Sequence, residues 1–529
     1  MGNSYLRTLL ILSLMFSFLF SQRVYGQKKQ VKEPVRLLHS RPFHEYFTRF
    51  VRQERELLGN APIVPWSWFV ENIPWLDVPD KELEEIYYFR WYAFQKHIHQ
   101  TPYGNVIDEF LDSVPWAGNY NTIDAAAQHH IREARWLRDQ SYAEQYARFW
   151  FSPAGEPQRY SFAAADAVYS LYLANNDRDL AINLLPALVR NYQTWVQMHR
   201  DSNGLFWQID DRDGMEESIG GSGYRPSINS YMYGDAVAIS KIARMAGNSA
   251  LADEYSGAAG ELRTMVEARL WNPKDQFYET IPRVPDAKWV GVRELVGYVP
   301  WYFDLPQPDR NVAWKELTDP QGFAGTFGPT TAERRSPRYR FHHPHECLWN
   351  GPSWPFATTQ TLVGLANLLN GSHQSIIGPD QYWKLFTAYV HSQHINLSKG
   401  QSIPWIDEDL DPDTGEWIAR SLLISRKQLP ANRGRYYNHS GFADLIVTGL
   451  IGIRPGDGNV LTIHPLLAPA NWTYFALDGL PYHGHLLTVF YDRDGDRYHR
   501  GKGFQVLCDG VRVATSQELS PISVQLPGK

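Results

Sequence analysis

The stretch DGMEES, Asp213 to Ser218, sets Asp213, Glu216 and Glu217 around Gly214, directly after the aromatic run that holds Phe206 and Trp207. A carboxyl group against a bulky apolar ring loses hydration, its pKa rises, and it becomes a proton donor near neutral pH. A second acid-rich stretch, IPWIDEDLDPDTGEW from Ile403 to Trp417, carries Asp407, Glu408, Asp409, Asp411, Asp413 and Glu416. Between the two lies HHPHECLWNGPSWPF, His342 to Phe356, with Trp349 and Trp354 around Gly351 and Pro352. That is a shaped turn able to hold flat rings in fixed positions, against which a sugar ring stacks. Two carboxyl groups flanking one bond, one protonated and one ionised, are what glycoside hydrolysis requires. The blander alternative is a pair of solvated loops and a bulky core. The acids of Ile403 to Trp417 also invite a calcium reading, but no Glu closes the loop where an EF-hand needs it, so no metal is expected.

Acids this far apart in sequence meet only if the fold gathers its loops at one end. From about residue 37 to about residue 452 the periodicity is helical, with Ala- and Leu-rich segments joined by short polar turns. Helical hairpins are read at residues 161–199 with a turn at Asn175 to Asp177, at 230–270 with a turn at Gly247 and Asn248, and at 354–392 with a turn at Asn370 to Ser372. Asp-containing turns followed by an aromatic recur at Asp201, Pro273 and Asp411, a period of about 70 residues or twice that. Six such hairpins close a ring, so the chain is expected to be mainly α, an (α/α)6 toroid. After residue 455 the texture turns to alternating apolar and polar residues with Gly and Asp turns. The expected organisation is a leader over residues 1–26, a toroid over 27–455 and a small β-sandwich-like domain over 456–529. The leader is read from Arg7, the apolar run Leu9 to Phe20 and the small-residue end before Gln27. It implies an exported, periplasmic or extracellular protein with no stable membrane insertion after cleavage.

Of the 529 residues 43% are hydrophobic and 20% charged, which suits a globular protein with a large core. A net charge of -6 without clustered Lys and Arg argues against a nucleic-acid partner. The two cysteines, Cys347 and Cys508, read as buried thiols, and no Cys/His spacing suggests zinc or a cofactor. The excess is aromatic, with 19 Trp, 30 Tyr and 25 Phe, which beyond a bulky core serves to bind carbohydrate. Asn370, Asn396, Asn438 and Asn471 lie in glycosylation sequons.

These blocks together resemble glycoside hydrolase family 63, which includes mannosylglycerate hydrolases. DGMEES is similar to the block that carries that family's general acid, LWNGPSWP to its Trp-Arg-Gly-Pro-x-Trp block, and EDLDPDTGE to the block whose first Glu is the general base. YNHSGFADLIVTGLIGIRP resembles the segment that closes the family's toroid. The order of the blocks matches over about residues 160 to 455. The resemblance implies an (α/α)6 catalytic domain and an inverting, exo-acting hydrolase of a terminal α-linked sugar, with Glu216 as acid and Glu408 as base. The chain departs from the family in carrying Glu rather than Asp as acid, with Glu217 adjacent, Asn350 in place of Arg, and His439 in the closing segment. Trp207, Trp349, Trp354, Tyr233 and Tyr437 are the expected sugar platform, and Asp211, Asp213, Asn229 and His439 the expected hydroxyl partners. Two other classes stay open. A polysaccharide lyase or epimerase would use His342, His343 or His345 with Arg225, and a silent carbohydrate-binding protein would keep the aromatics and dispense with the acids.

Overall fold

Along most of the chain, helices buried on every side alternate with helices buried along one stripe, and the alternation builds a ring. In this computed structural model the described residues are 36–59, 64–341, 345–397, 400–428, 432–467, 470 and 472–528. The expected leader, His342, His343 and the sequon at Asn471 lie outside them. Among the described residues, Ala127–Ala134, Ala164–Asn175, Pro226–Met245, Val299–Tyr302, Pro355–Gly371 and Phe442–Leu445 pack side to side as a closed inner ring. Around it stand Lys81–Lys96, Ser141–Phe149, Arg178–His199, Ser249–Arg269, the 3-10 segment Pro308–Leu317 and Pro379–Ser392. The result is the (α/α)6 toroid, with one hairpin shortened where Val299–Tyr302 and Pro308–Leu317 replace long helices.

Burial separates the two layers except at outer Lys81–Lys96, which packs under the N-terminal helix His44–Leu58 and is buried at almost every position from Leu83 to Phe94. Inner Pro226–Met245 and Pro355–Gly371 bury residues at almost every position, as helices enclosed on all sides must. Outer Arg178–His199 buries the stripe Leu180, Leu184, Leu188, Asn191 and Trp195, the spacing of one helical face. The turn between Ala164–Asn175 and Arg178–His199 is made by Asn176 in the left-handed region at φ 61°. Asp177 then caps the next helix by accepting the Leu180 N–H at 3.0 Å. Asn248 does the same for Leu251 at 3.1 Å.

The ring is closed by a buried arginine. Arg90, on Lys81–Lys96, donates to Glu133 Oε1 and Oε2 at 3.0 and 2.9 Å, to Asn438 Oδ1 at 2.6 Å and to the Ser440 carbonyl at 2.9 Å. Glu133 in turn accepts the Ala443 N–H at 2.7 Å, so the first outer helix, the first inner helix and the last inner element share one charge pair. The same network buries Asn438 completely, which removes that sequon from the folded surface.

After the last inner element the chain turns to strands, from Ile453 onward. A five-stranded antiparallel sheet runs in the order Trp75–Asp77, Tyr474–Tyr482, His485–Asp492, Gly503–Cys508 and Val511–Ser516, and a three-stranded sheet joins Ile522–Gln525, Val460–Ile463 and Ile453–Arg454. The edge strand Trp75–Asp77 comes from the N-terminal part of the chain, with Trp75 opposite Asp478. Three residues are too few to carry a period-2 pattern, which is why they read as part of the helical region in sequence. Residues 36–529 form one compact unit. No described helix is long and apolar enough to cross a membrane.

Replacing Arg90 with Leu leaves the buried Glu133 carboxylate without its cation. The expected cost is about 3–5 kcal/mol of unfolding free energy, read by urea denaturation, against less than about 0.5 kcal/mol for the exposed Arg244→Leu.

Candidate active site

At one end of the toroid a cavity of about 340 Å³ opens where the inner elements begin. Ala125 and Ala126 precede Ala127–Ala134, Tyr160 precedes Ala164–Asn175, and Gly214 and Glu216 precede Pro226–Met245. Phe356 lies in the first turn of Pro355–Gly371, and His439 precedes Phe442–Leu445. Helix N-termini carry positive partial charge, and this end of the ring is correspondingly where carboxyl groups gather: Glu109, Asp211, Glu216, Glu217, Glu346 and Glu408 all line the cavity.

The loop that carries Glu216 is fastened from beneath. Arg225, buried at the start of Pro226–Met245, donates to Asp213 Oδ2 at 2.6 Å, to Ser218 Oγ at 3.1 Å and to the Gly221 carbonyl at 2.6 Å. Glu294 accepts the N–H groups of Ile219 and Gly220 at 2.8 and 3.0 Å. Gly214, at φ 72°, passes so close to Phe356 that a Cβ would sit 3.2 Å from its ring. Glu217 takes φ 55°, a left-handed turn immediately after the acid. Trp349 N–H donates to the Glu216 carbonyl at 3.2 Å, and the Cys347 thiol donates to Glu216 Oε2 at 3.4 Å. No cation bonds the Glu216 side chain among the described residues. Burial therefore dominates, and its pKa is pushed up to about 7.

Glu408 has the opposite neighbourhood. Arg433 grips it with Nε to Oε1 at 2.9 Å and Nη2 to Oε2 at 3.2 Å, and its remaining nitrogen reaches Glu346 Oε1 at 3.2 Å. Burial raises the Glu408 pKa, and the guanidinium charge and its hydrogen bonds draw it only part of the way back, leaving it above the ordinary carboxylate value. Two lone pairs remain on the carboxylate after that fork is made, enough to accept from a water. The neighbouring Asp407 is fixed by Trp405 Nε1 at 3.1 Å, and a Cβ on Gly434 would collide with it, so Arg433 arrives on a backbone that only glycine lets pass so close.

The back wall is Tyr437, His439, Trp349, Trp354 and a residue that the sequence reading missed, Glu109. Tyr437 donates its hydroxyl to Glu109 Oε1. Burial pushes the Glu109 carboxyl up to about 8 and holds His439 well below the ordinary histidine range, so both are neutral near pH 7. Trp349 and Trp354 stack on each other with centroids 4.0 Å apart and planes 9° apart. They are 2% and 1% exposed, so they form the wall of the cavity rather than an open platform. Three buried polar atoms of this wall, Glu109 Oε2, His439 Nε2 and Trp349 Nε1, have no partner among the described residues.

The structure thus brings Glu216, Glu408, Asp211, Trp349, Trp354, Tyr437 and His439 to one cavity and leaves four expected contacts elsewhere. Trp207 lies under the Arg283 guanidinium at 3.9 Å and beside His199 at 4.7 Å, and it does not line the cavity. Asp213 is buried in the Arg225 clamp and holds the loop, not a ligand. Asn229 exchanges two 2.8 Å bonds with the Phe206 backbone, which pins the run Phe206–Trp207 to the start of Pro226–Met245. Tyr233 packs half-buried against the core outside the cavity. Arg225, the cation that a lyase reading needs, is held by Asp213.

The acids after Glu408 are likewise engaged. Asp409 accepts the Ala419 N–H at 2.9 Å, Asp411 accepts the Asp413 and Thr414 N–H groups at 2.9 and 3.0 Å, and Asp413 pairs with Arg334 at 2.6 Å. Among the described residues the one group spaced for a metal is His485, Cys508 and Asp509, none of which lines the cavity.

A toroid with a proton-bearing carboxyl and an arginine-held carboxylate in one end cavity has the architecture of the (α/α)6 glycoside hydrolases. Residues 119–440 match the mannosylglycerate hydrolase MGH1-like glycoside hydrolase domain, and the chain belongs to that family. Residues 453–515 match the C-terminal domain of glycosyl hydrolase family 65. A solved structure described as a sialidase is 39% identical with a TM-score of 0.85, covering 92% of this chain and 45% of its own. The chain therefore spans less than half the length of that relative. The GH63 mannosylglycerate hydrolase from Thermus thermophilus in complex with glucose shares the fold at 14% identity and a TM-score of 0.51, over 68% of this chain and 99% of that one. An uncharacterized protein of Borreliella burgdorferi is 25% identical over 145 residues, 27% of this chain and 30% of that protein.

The two neighbouring aspartates separate by variant. Asp213→Ala, which strands a buried arginine, is expected to lose about 3–5 kcal/mol of stability in denaturant unfolding, whereas the less buried Asp211→Ala changes it by less than about 0.5 kcal/mol.

Proposed function

We propose that the protein is an exo-acting glycoside hydrolase that works with inversion on a terminal sugar. The observation that carries the reading is the contrast between two carboxyl groups of one cavity: Glu216, without a cation among the described residues and raised to about 7, and Glu408, forked by Arg433. Such a split assigns acid and base by environment. Protonated Glu216 delivers its proton to the glycosidic oxygen as the bond to the anomeric carbon breaks and its electron pair stays on that oxygen. Ionised Glu408 takes a proton from water while the water oxygen bonds the anomeric carbon from the opposite face. Each carboxyl then returns to its starting state by exchange with solvent.

The three unpaired wall atoms, Glu109 Oε2, His439 Nε2 and Trp349 Nε1, support a polyhydroxylated ligand, because buried polar groups without partners are costly unless a ligand satisfies them. A volume of about 340 Å³ is at the small end of ligand pockets and supports a single terminal unit rather than a long chain. Six carboxyl groups line the cavity against Arg212 and Arg433, and Arg433 is already paired with Glu408 and Glu346. This supports an uncharged sugar, and sialidase activity is not carried over from the longer relative. The α-linkage comes with the family 63 resemblance, and export with the Arg7 and Leu9 to Phe20 leader. Mass spectrometry of the protein from its native host tests the leader, with a mature start near Gln27 expected.

A panel of aryl glycosides of neutral sugars, with the released anomer read by NMR, tests the reaction. Release of the inverted anomer is expected, with Glu216→Gln and Glu408→Gln each lowering kcat by roughly 10²–10⁴. The pH profile of kcat is expected to be bell-shaped. Activity falls as pH rises through about 7, where Glu216 loses its proton, and falls on the acid side where Glu408 gains one. Undiminished activity in both variants overturns the assignment.

A further inference from the structure

We propose that Cys347 is a positioning residue for the acid Glu216, its thiol choosing which carboxyl oxygen carries the proton; this rests on the hydrolase reading above. Among the described residues, Cys347 is the one side chain that donates a hydrogen bond to Glu216, from Sγ to Oε2 at 3.4 Å. Within its own loop the Cys347 N–H donates to His345 Nδ1 at 3.0 Å. Two residues on, the Trp349 N–H donates to the Glu216 carbonyl at 3.2 Å, so the two loops are joined through main chain as well as through the thiol. Both residues line the cavity.

Toward the Glu216 carboxylate the thiol acts as a donor. Burial first, then the negative charges of Glu216 and Glu408, push its pKa well above the ordinary range, so the S–H proton stays in place through the cycle. With S–H given to Oε2, Oε1 is left as the oxygen that bears the acid proton and faces the glycosidic oxygen. After that proton has left, the same S–H stabilises the carboxylate. The sulfur is neither alkylated nor oxidised, and no electrons pass through it. The other groups that act on this pair are the Trp349 side chain beside the thiol, Asp211 on the acid's own loop, Arg225 beneath it, and Glu109, Glu408 and Asp409 across the cavity. Because the thiol hydrogen bond favours the ionised form of Glu216, its removal raises the pKa of the acid further.

Infrared spectroscopy of the S–H stretch tests the contact without requiring turnover. The band lost in Cys347→Ala identifies Cys347, and Cys508 serves as an internal reference. In the wild type the Cys347 band is expected to move to lower frequency with a midpoint near pH 7 as Glu216 ionises, and to stay fixed in Glu216→Gln. On neutral aryl glycosides, Cys347→Ala is expected to shift the basic limb of the kcat profile upward and to lower kcat by roughly 3–10-fold, with KM changed less than about twofold. Cys347→Ser, whose hydroxyl sits on a shorter bond, should return part of the loss. A band that ignores pH, or that titrates equally in Glu216→Gln, overturns the contact. A band that moves while the kcat limb does not overturns the positioning role. If no glycoside is cleaved, the hydrolase reading falls, and the band alone still decides whether the thiol holds Glu216.

Discussion

Counter-charge, not burial, separates the two carboxyl groups on which the proposed chemistry depends. Burial raises the pKa of both, and only Glu408 has a guanidinium at hydrogen-bonding distance on both of its oxygens. Two acids in one cavity with matched surroundings would titrate as a coupled pair and would have no fixed roles. A single arginine, brought in on a backbone that passes Asp407 at Gly434, breaks that symmetry. The cavity tolerates so much acid because the inner helices present their positive ends to it, and because Glu109 and Glu216, buried without an arginine or lysine among the described residues, relieve their burial by holding protons.

Such a contrast is useful only if the loops that carry the groups hold still. Asp213, Arg225 and Glu294 fasten the loop of Glu216 to the start of an inner helix. Arg90 and Glu133 fasten the segment Tyr437 to Ser440 where the ring closes. In both cases a buried ion pair sits directly behind the cavity. A buried pair of this kind adds little net stability over an apolar substitute, whereas breaking it is costly. Its contribution is the fixed geometry of the loop above it.

Much of this was legible in the residues. The helical period, the Asn and Asp turns and the switch to strand alternation after residue 455 define the toroid and the β layers, because local pattern and tertiary burial agree there. Glu216 and Glu408 stood out because each lies in a block with recognisable neighbours. Glu109 did not, since its partner Tyr437 is 328 residues away and no local spacing joins them. Asp213 and Glu216 lie in one loop and look equivalent in sequence; the arginine at 225 takes the first and leaves the second. Trp207 is adjacent to the acid loop in sequence, yet it stacks under Arg283, and the apolar surroundings of Glu216 come instead from the Trp349 loop and Phe356. Which of two neighbouring acids meets a cation is a tertiary fact, and it decides the chemistry.

The most direct measurement is a crystal structure of Glu216→Gln with an intact neutral glycoside bound. The expected result places the glycosidic oxygen within hydrogen-bond reach of residue 216, with a water between Glu408 and the anomeric carbon. Sugar hydroxyls should meet Glu109 Oε2, His439 Nε2 and Trp349 Nε1. A glycoside bound in this cavity with its scissile bond away from both residue 216 and Glu408, or bound only outside the cavity, would contradict the division of roles between the two carboxyl groups.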